Sequence, residues 1–125
     1  MRDIWKRNKH VDLWTFVHIL SGWILGTFFI YKGTPFYRAF IYTALILIAW
    51  EIIEYLFKNT ESLNNRIVDV VSGSAGFALL IWSDSYDLAF KSNYFNIISA
   101  AWLTLCISGW WAVKRRLNAL NKGDN

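Results

Sequence analysis

One histidine and three carboxylates sit well inside long apolar stretches of this chain: His18, Glu51, Glu54 and Asp69, with Asp12 at the edge of the first stretch as an interfacial charge or helix cap. A side chain that ionises in an apolar setting is costly, so its presence is by default a functional hypothesis. An imidazole with several carboxylates offers mixed nitrogen and oxygen donors. Such a set suits Mn, Fe or Zn better than a metal that selects thiolates. A divalent metal is therefore the cofactor these residues would take, with His18, Glu51, Glu54 and Asp69 as its ligands. Metal-bound water can hydrolyse an ester or phosphate, and a His beside clustered carboxylates can also relay protons. Arg66 and Ser72 lie close in sequence to Asp69 and complete a polar pocket, with Arg66 as an anion-facing or pairing partner and Lys58 at the rim. The single cysteine, Cys106, excludes a disulfide scaffold and a cysteine-rich zinc site. No nucleophile–base pair, Walker loop or dinucleotide fingerprint is present, so no catalytic residue can be named.

The elements that must position these groups are apolar blocks at about residues 11–31, 39–57, 66–82 and 95–113. A helix needs roughly 20 apolar residues to cross a ~30 Å hydrocarbon core. The third block is short, and it extends back toward Ser62 as an N-cap. The 125 residues are 55% apolar and only 18% charged, against roughly 25% charged in soluble domains. They form a single transmembrane domain. The expected fold is all-α, a membrane-embedded bundle of four antiparallel transmembrane helices.

The charges set an orientation. Of the 13 basic residues, Arg2, Lys6, Arg7, Lys9, Lys58, Arg66, Lys114, Arg115, Arg116 and Lys122 flank one side, and Lys32, Arg38 and Lys91 the other. The positive-inside bias then puts both termini in the cytoplasm. The first block reads as a retained anchor, because its apolar stretch is long and no small-x-small cleavage site follows. In this topology His18 and Glu51 each lie about 10 Å from the inner interface, Glu54 and Asp69 about 5 Å and Ser72 about 10 Å, at 1.5 Å of rise per residue. The polar groups thus share the inner half of the membrane. Gly22 and Gly26 follow His18 at four-residue spacing, and Gly73 and Gly76 follow Asp69 on a similar stripe. Small residues so spaced allow close helix approach, so the first three blocks are expected to pack around the pocket, with the fourth as a covering helix. The basic balance is explained by topology and anionic lipid. Membrane lipids are the expected partners, not nucleic acid, and the plasma (inner) membrane is the expected location. Self-association or membership of a larger membrane complex stays open.

The order of these residues resembles that of the VanZ-like membrane proteins. The matching text is His18 followed by ILSG, then Trp50-Glu51-Ile52-Ile53-Glu54, then Arg66-Ile67-Val68-Asp69 followed by VVSGSAG, together covering roughly residues 11–80. Glu54 stands where that family has Gln, and Gly73 where it has Asn. The resemblance implies a small integral membrane protein whose inner-leaflet pocket binds an ion or a lipid headgroup. A metal-dependent membrane enzyme acting on a lipid, a proton-coupled small transporter and a structural subunit are the alternatives. Small multidrug transporters share the length and span number but carry their essential Glu in the first span, where this chain has His18.

Overall fold

The computed structural model describes residues 13–56, 62–83 and 94–123. Within them the chain forms four α-helices: α1 Leu13–Tyr31, α2 Phe36–Leu56, α3 Leu63–Trp82 and α4 Tyr94–Gly123. There is no strand among the described residues. The sequence before residue 13, Lys58 in the α2–α3 connection and residues 84–93 lie outside the described residues. Asp12 and much of the basic flank counted above fall there.

Local chemistry ends and starts the helices where they must turn. α1 stops at Gly33, whose φ of +79° places it in the left-handed region that glycine tolerates. The Gly33 N–H donates to Ile30 O at 2.9 Å and the Thr34 N–H to Phe29 O at 3.0 Å. These two bonds form a Schellman motif, which satisfies carbonyls that the helix end would leave open. Pro35 follows, where no helix needs an N–H, and its carbonyl accepts from the Ala39 N–H at 2.9 Å. At the start of α3, the expected N-cap forms. Ser62 is extended (φ −72°, ψ 149°), and its hydroxyl oxygen accepts from the Asn65 N–H at 3.3 Å.

Three helical segments are long and apolar enough to cross a membrane: Leu13–Tyr31, Phe36–Leu56 and Phe95–Arg115. α3 has the length, at 20 residues, but not the composition. Asn64, Asn65, Arg66, Asp69, Ser72 and Ser74 dilute it. These polar residues explain why α3 depends on its neighbours, and the packing supplies them. α1 and α3 make the most extensive helix contact, and α2 lies against both.

The α1–α3 pair runs parallel: His18 faces Asp69, Gly22 faces Gly73, and Gly26 faces Phe77 and Leu80. α2 runs the other way, with Glu51 beside His18, Leu47 beside Gly73 and Phe40 against Phe77 at 5.5 Å between ring centroids. The centre of the bundle is therefore a parallel pair bridged by an antiparallel third helix. Its closeness has a specific cause. A Cβ added at Gly22 would overlap the carbonyl of Gly73, and one at Gly76 would overlap the carbonyl of Ile19. Backbone meets backbone at these points, which only glycine permits.

The distribution of polarity is inverted relative to a water-soluble domain. Buried apolar residues are Val17, Ala39, Leu47, Phe77 and Leu80, whereas the buried polar ones are Thr15, His18, Thr27, Thr43, Glu51, Asn65 and Asp69. The outside of α2 is a near-continuous apolar surface that includes Phe40, Ile41, Leu45, Ile46, Ile52 and Ile53. Several hydroxyls are satisfied by their own helix. Ser21 donates to Val17 O, Thr27 to Trp23 O and Thr104 to Ala100 O at 2.8 Å each, and Ser74 to Val70 O at 2.9 Å. α4 packs on α1 alone among the described helices. Its anchor is the Trp102 indole N–H, which donates to Ser21 Oγ at 2.8 Å.

Candidate metal centre

The groups singled out by type and spacing converge from three helices. His18 projects from α1 on the face that continues into Gly22 and Gly26, all buried. Glu51 ends a stripe of buried α2 residues at four-residue spacing: Ala39, Thr43, Leu47 and Glu51. Asp69 lies on the buried stripe of α3 with Asn65, Gly73 and Gly76. The glycine contacts draw α1 and α3 together directly above the polar groups, so His18 and Asp69 are held close by the backbone.

His18 Nε2 lies 3.5 Å from Glu51 Oε1 and 3.8 Å from Asp69 Oδ2. The residues are 5%, 6% and 1% exposed, respectively. One donor atom from each lies within 4.8 Å of the other two. Asn65, one turn before Asp69, is also buried, and its Nδ2 donates to Asp69 Oδ2 at 3.2 Å. This bond fixes one carboxylate oxygen at the side facing His18.

Charge and distance indicate what this arrangement can hold. Two carboxylates against a single imidazole leave a net charge of −1 if both acids ionise and His18 is protonated. Burying uncompensated charge is costly. A divalent cation against neutral His18 balances the pair. Ligand bonds of about 2.0–2.2 Å put donor atoms up to about 4.4 Å apart across the metal. His18 Nε2 already lies within that range of Glu51 Oε1 and Asp69 Oδ2, and all three donors lie within 4.8 Å of one another. Three protein ligands also leave a position open, as in sites where a metal binds water or a substrate.

The other expected members contribute no donor atom to this group. Glu54 is half-buried, one turn beyond Glu51, and does not join it. Arg66 is half-buried and stacks its guanidinium on Tyr55 of α2, 4.7 Å from the ring centroid. Ser72 is half-buried, three residues past Asp69. Asn65 is the member that spacing did not single out. Its signal was present all the same: it lies four residues before Asp69, which puts both on one helix face.

A groove of about 380 Å³ opens between α2 and α3 on the outside of the bundle, and Glu51 and Arg66 contribute to its lining. Comparison with protein-family models, with curated proteins and with solved structures returns no match to this chain.

Proposed function

We propose that this chain is a small multi-span membrane protein that binds a divalent transition metal, Mn, Fe or Zn, at His18, Glu51 and Asp69. The observation that carries the reading is the meeting of one buried imidazole and two buried carboxylates from three helices, with donor atoms within 4.8 Å of one another. Membrane embedding is supported by three sufficiently apolar helices and by a surface more apolar than the interior. α3 joins them as the fourth span, its polar stripe turned toward α1. The excess of basic residues at the end where α1 begins and α4 finishes supports cytoplasmic termini in a plasma membrane. The metal then lies in the inner half of the bilayer. At that end Lys114 lies over Trp110 and Arg115 over Trp111, at 5.2 and 3.3 Å from the ring centroids. Such pairing suits an interfacial belt. The order His18, Glu51-x-x-Glu54, Arg66-x-x-Asp69 supports kinship with the VanZ-like proteins.

The test is direct. Protein purified in detergent is stripped with a chelator, reloaded separately with Mn, Fe(II) and Zn, and analysed for metal per chain. One metal per chain is expected, lost in His18→Ala and Glu51→Gln. Wild-type protein that retains none of the three metals, or variants that retain as much as wild type, would overturn the reading.

A further inference from the structure

α4 is 30 residues long, and its charges gather at one end. It has no acidic residue anywhere along its length and no basic one before Lys114. Leu103, Ile107, Trp110 and Lys114 follow one another at spacings of four, three and four, so they share one side of the helix. Trp102, which bonds Ser21 of α1, sits about 100° round the helix from Leu103. The shared side is therefore turned away from α1. Leu103, Ile107, Trp110 and the adjacent Trp111 are each more than half exposed, and Lys114 and Arg115 are exposed as well. Each cation lies over the indole one turn before it. Lys114 Nζ is 5.2 Å from the Trp110 ring centroid, and the Arg115 guanidinium is 3.3 Å from that of Trp111. The face thus runs from aliphatic through aromatic to cationic.

We propose that this face of α4 binds one anionic phospholipid, with the phosphate between Lys114 and Arg115 and an acyl chain along Ile107 and Leu103. The charge complementarity is specific. Two neighbouring cations stand on a helix that carries no acid. Arginine offers a planar fork of N–H donors that matches phosphate oxygens, and lysine adds a compact point charge. Stacking over an indole face holds each charge in place and leaves its donors open to the side. The dimensions also match. Leu103 and Lys114 are 11 residues apart, or about 16 Å along the helix, which is about half of a ~30 Å hydrocarbon core. With the cations at the headgroup level, Leu103 reaches the midplane and the indoles lie at the interface, where tryptophan is enriched. The face is as long as one leaflet is deep. Toward Tyr94 the exposed residues are Asn96, Ile97 and Ala100, without a cation, so the site belongs to one leaflet only. The proposal rests on the membrane reading of the chain and not on the metal, since none of these residues belongs to the donor group.

The test counts lipid on the intact chain by native mass spectrometry in detergent. Dioleoylphosphatidylglycerol and dioleoylphosphatidylcholine, whose phosphate is balanced by its own choline, are titrated separately. The first phosphatidylglycerol is expected to bind at least tenfold more tightly than phosphatidylcholine. Lys114→Gln combined with Arg115→Gln lowers phosphatidylglycerol binding at least tenfold and leaves phosphatidylcholine unchanged. Lys32→Gln combined with Arg38→Gln removes the same charge at the opposite end of the bundle and leaves both unchanged. Glycerophosphoglycerol, the headgroup without acyl chains, does not displace the lipid. Helical circular dichroism confirms that each variant is folded. His18→Ala loses metal and keeps the lipid, and retention of the chain in carbonate-washed membranes tests the membrane reading by itself. Equal binding of the two lipids by wild type, undiminished phosphatidylglycerol binding without Lys114 and Arg115, an equal fall without Lys32 and Arg38, or displacement by glycerophosphoglycerol would each overturn the proposal.

Discussion

At the level of single residues, the important distinction is between groups that share a helix side and groups that share a point. Glu51 and Glu54 are three positions apart, and the sequence puts both on one side of α2. In the folded chain only Glu51 continues the buried stripe through Ala39, Thr43 and Leu47. Three residues advance a helix by about 300°, so Glu54 is rotated some 60° off that line, enough to leave it half-buried and outside the donor group. The convergence of His18, Glu51 and Asp69 was legible because burying an ionisable side chain is so unfavourable that few alternatives exist. Asn65 was harder to see, since a neutral amide near a helix start reads as ordinary capping chemistry. Its hydrogen bond to Asp69 Oδ2 makes it an outer partner of the site. Removing such a partner typically costs 10–100-fold in metal affinity. Asn65→Leu is therefore expected to weaken metal binding by about that factor while leaving one metal per chain at saturation, read by competition with a chromogenic chelator. Glu54→Gln is expected to leave both affinity and stoichiometry unchanged. A fall equal to that of Glu51→Gln would place Glu54 among the ligands.

At the level of helices, the glycine stripes announced close approach but not its partner. The Lys32–Pro35 connection is short, which favours α1 against α2, yet the tightest pairing joins α1 to α3 in parallel. The reason lies in matched surfaces: the stripe His18–Gly22–Gly26 meets Asp69–Gly73–Gly76 along its length, and a loop imposes no such match. The contacts differ in how much they can yield. At Gly22 and Gly76 an added Cβ meets backbone carbonyls. At Gly26 it meets the ends of Phe77 and Leu80 side chains, the nearest atoms at 2.6 and 2.9 Å. Side-chain ends can rotate away, but a helix backbone must translate. Gly22→Ala and Gly76→Ala are expected to destabilise the bundle by about 1–3 kcal/mol, the usual cost of overpacking. They should also weaken metal binding by separating His18 from Asp69. Gly26→Ala should cost less: all three variants gain the same helix propensity, up to about 1 kcal/mol, but only at Gly26 are the obstructing atoms side-chain ends, of Phe77 and Leu80, that can give way. Denaturant melts in micelles, followed by circular dichroism, rank the three; a Gly26→Ala that is the worst of them would refute this account of the crossing. α3 carries a separate dependence on Ser62, where Ser62→Ala is expected to cost about 1 kcal/mol through loss of the cap.

At the level of the whole molecule, hydropathy blocks disclosed four helices because apolar runs of this length have few other uses, although α4 runs on to Gly123, past the block that ends at about residue 113, since a helix can continue into polar sequence beyond an apolar run. They did not disclose that α3 owes its place to packing: its polar stripe is hidden only when α1 and α2 cover it, which no single-helix measure can register. They also did not disclose that, among the described helices, α4 packs on α1 alone, with Trp102 hydrogen-bonded to Ser21. The polar interior and apolar exterior raise the orientation question, and the basic flanks supply the answer proposed above. In the proposed topology, the α1–α2 turn is outside the cell and the start of α3 is inside. The single cysteine, Cys106, makes this measurable. On a Cys106→Ser background, Thr34→Cys places a thiol in the α1–α2 turn, and Asn64→Cys places one on the exposed side of the first turn of α3. In intact cells a membrane-impermeant maleimide is expected to label Thr34→Cys and spare Asn64→Cys, and permeabilisation should expose the second. The positive-inside bias acts through the basic flanks of the connecting segments. If it sets the topology here, replacing Arg2, Lys6, Arg7 and Lys9 with Gln should erode the asymmetry and raise labelling of Asn64→Cys in intact cells. Both sites labelled equally in the unaltered background would rule out a single orientation. Labelling of Asn64→Cys alone would reverse it and carry the metal to the outer half of the membrane.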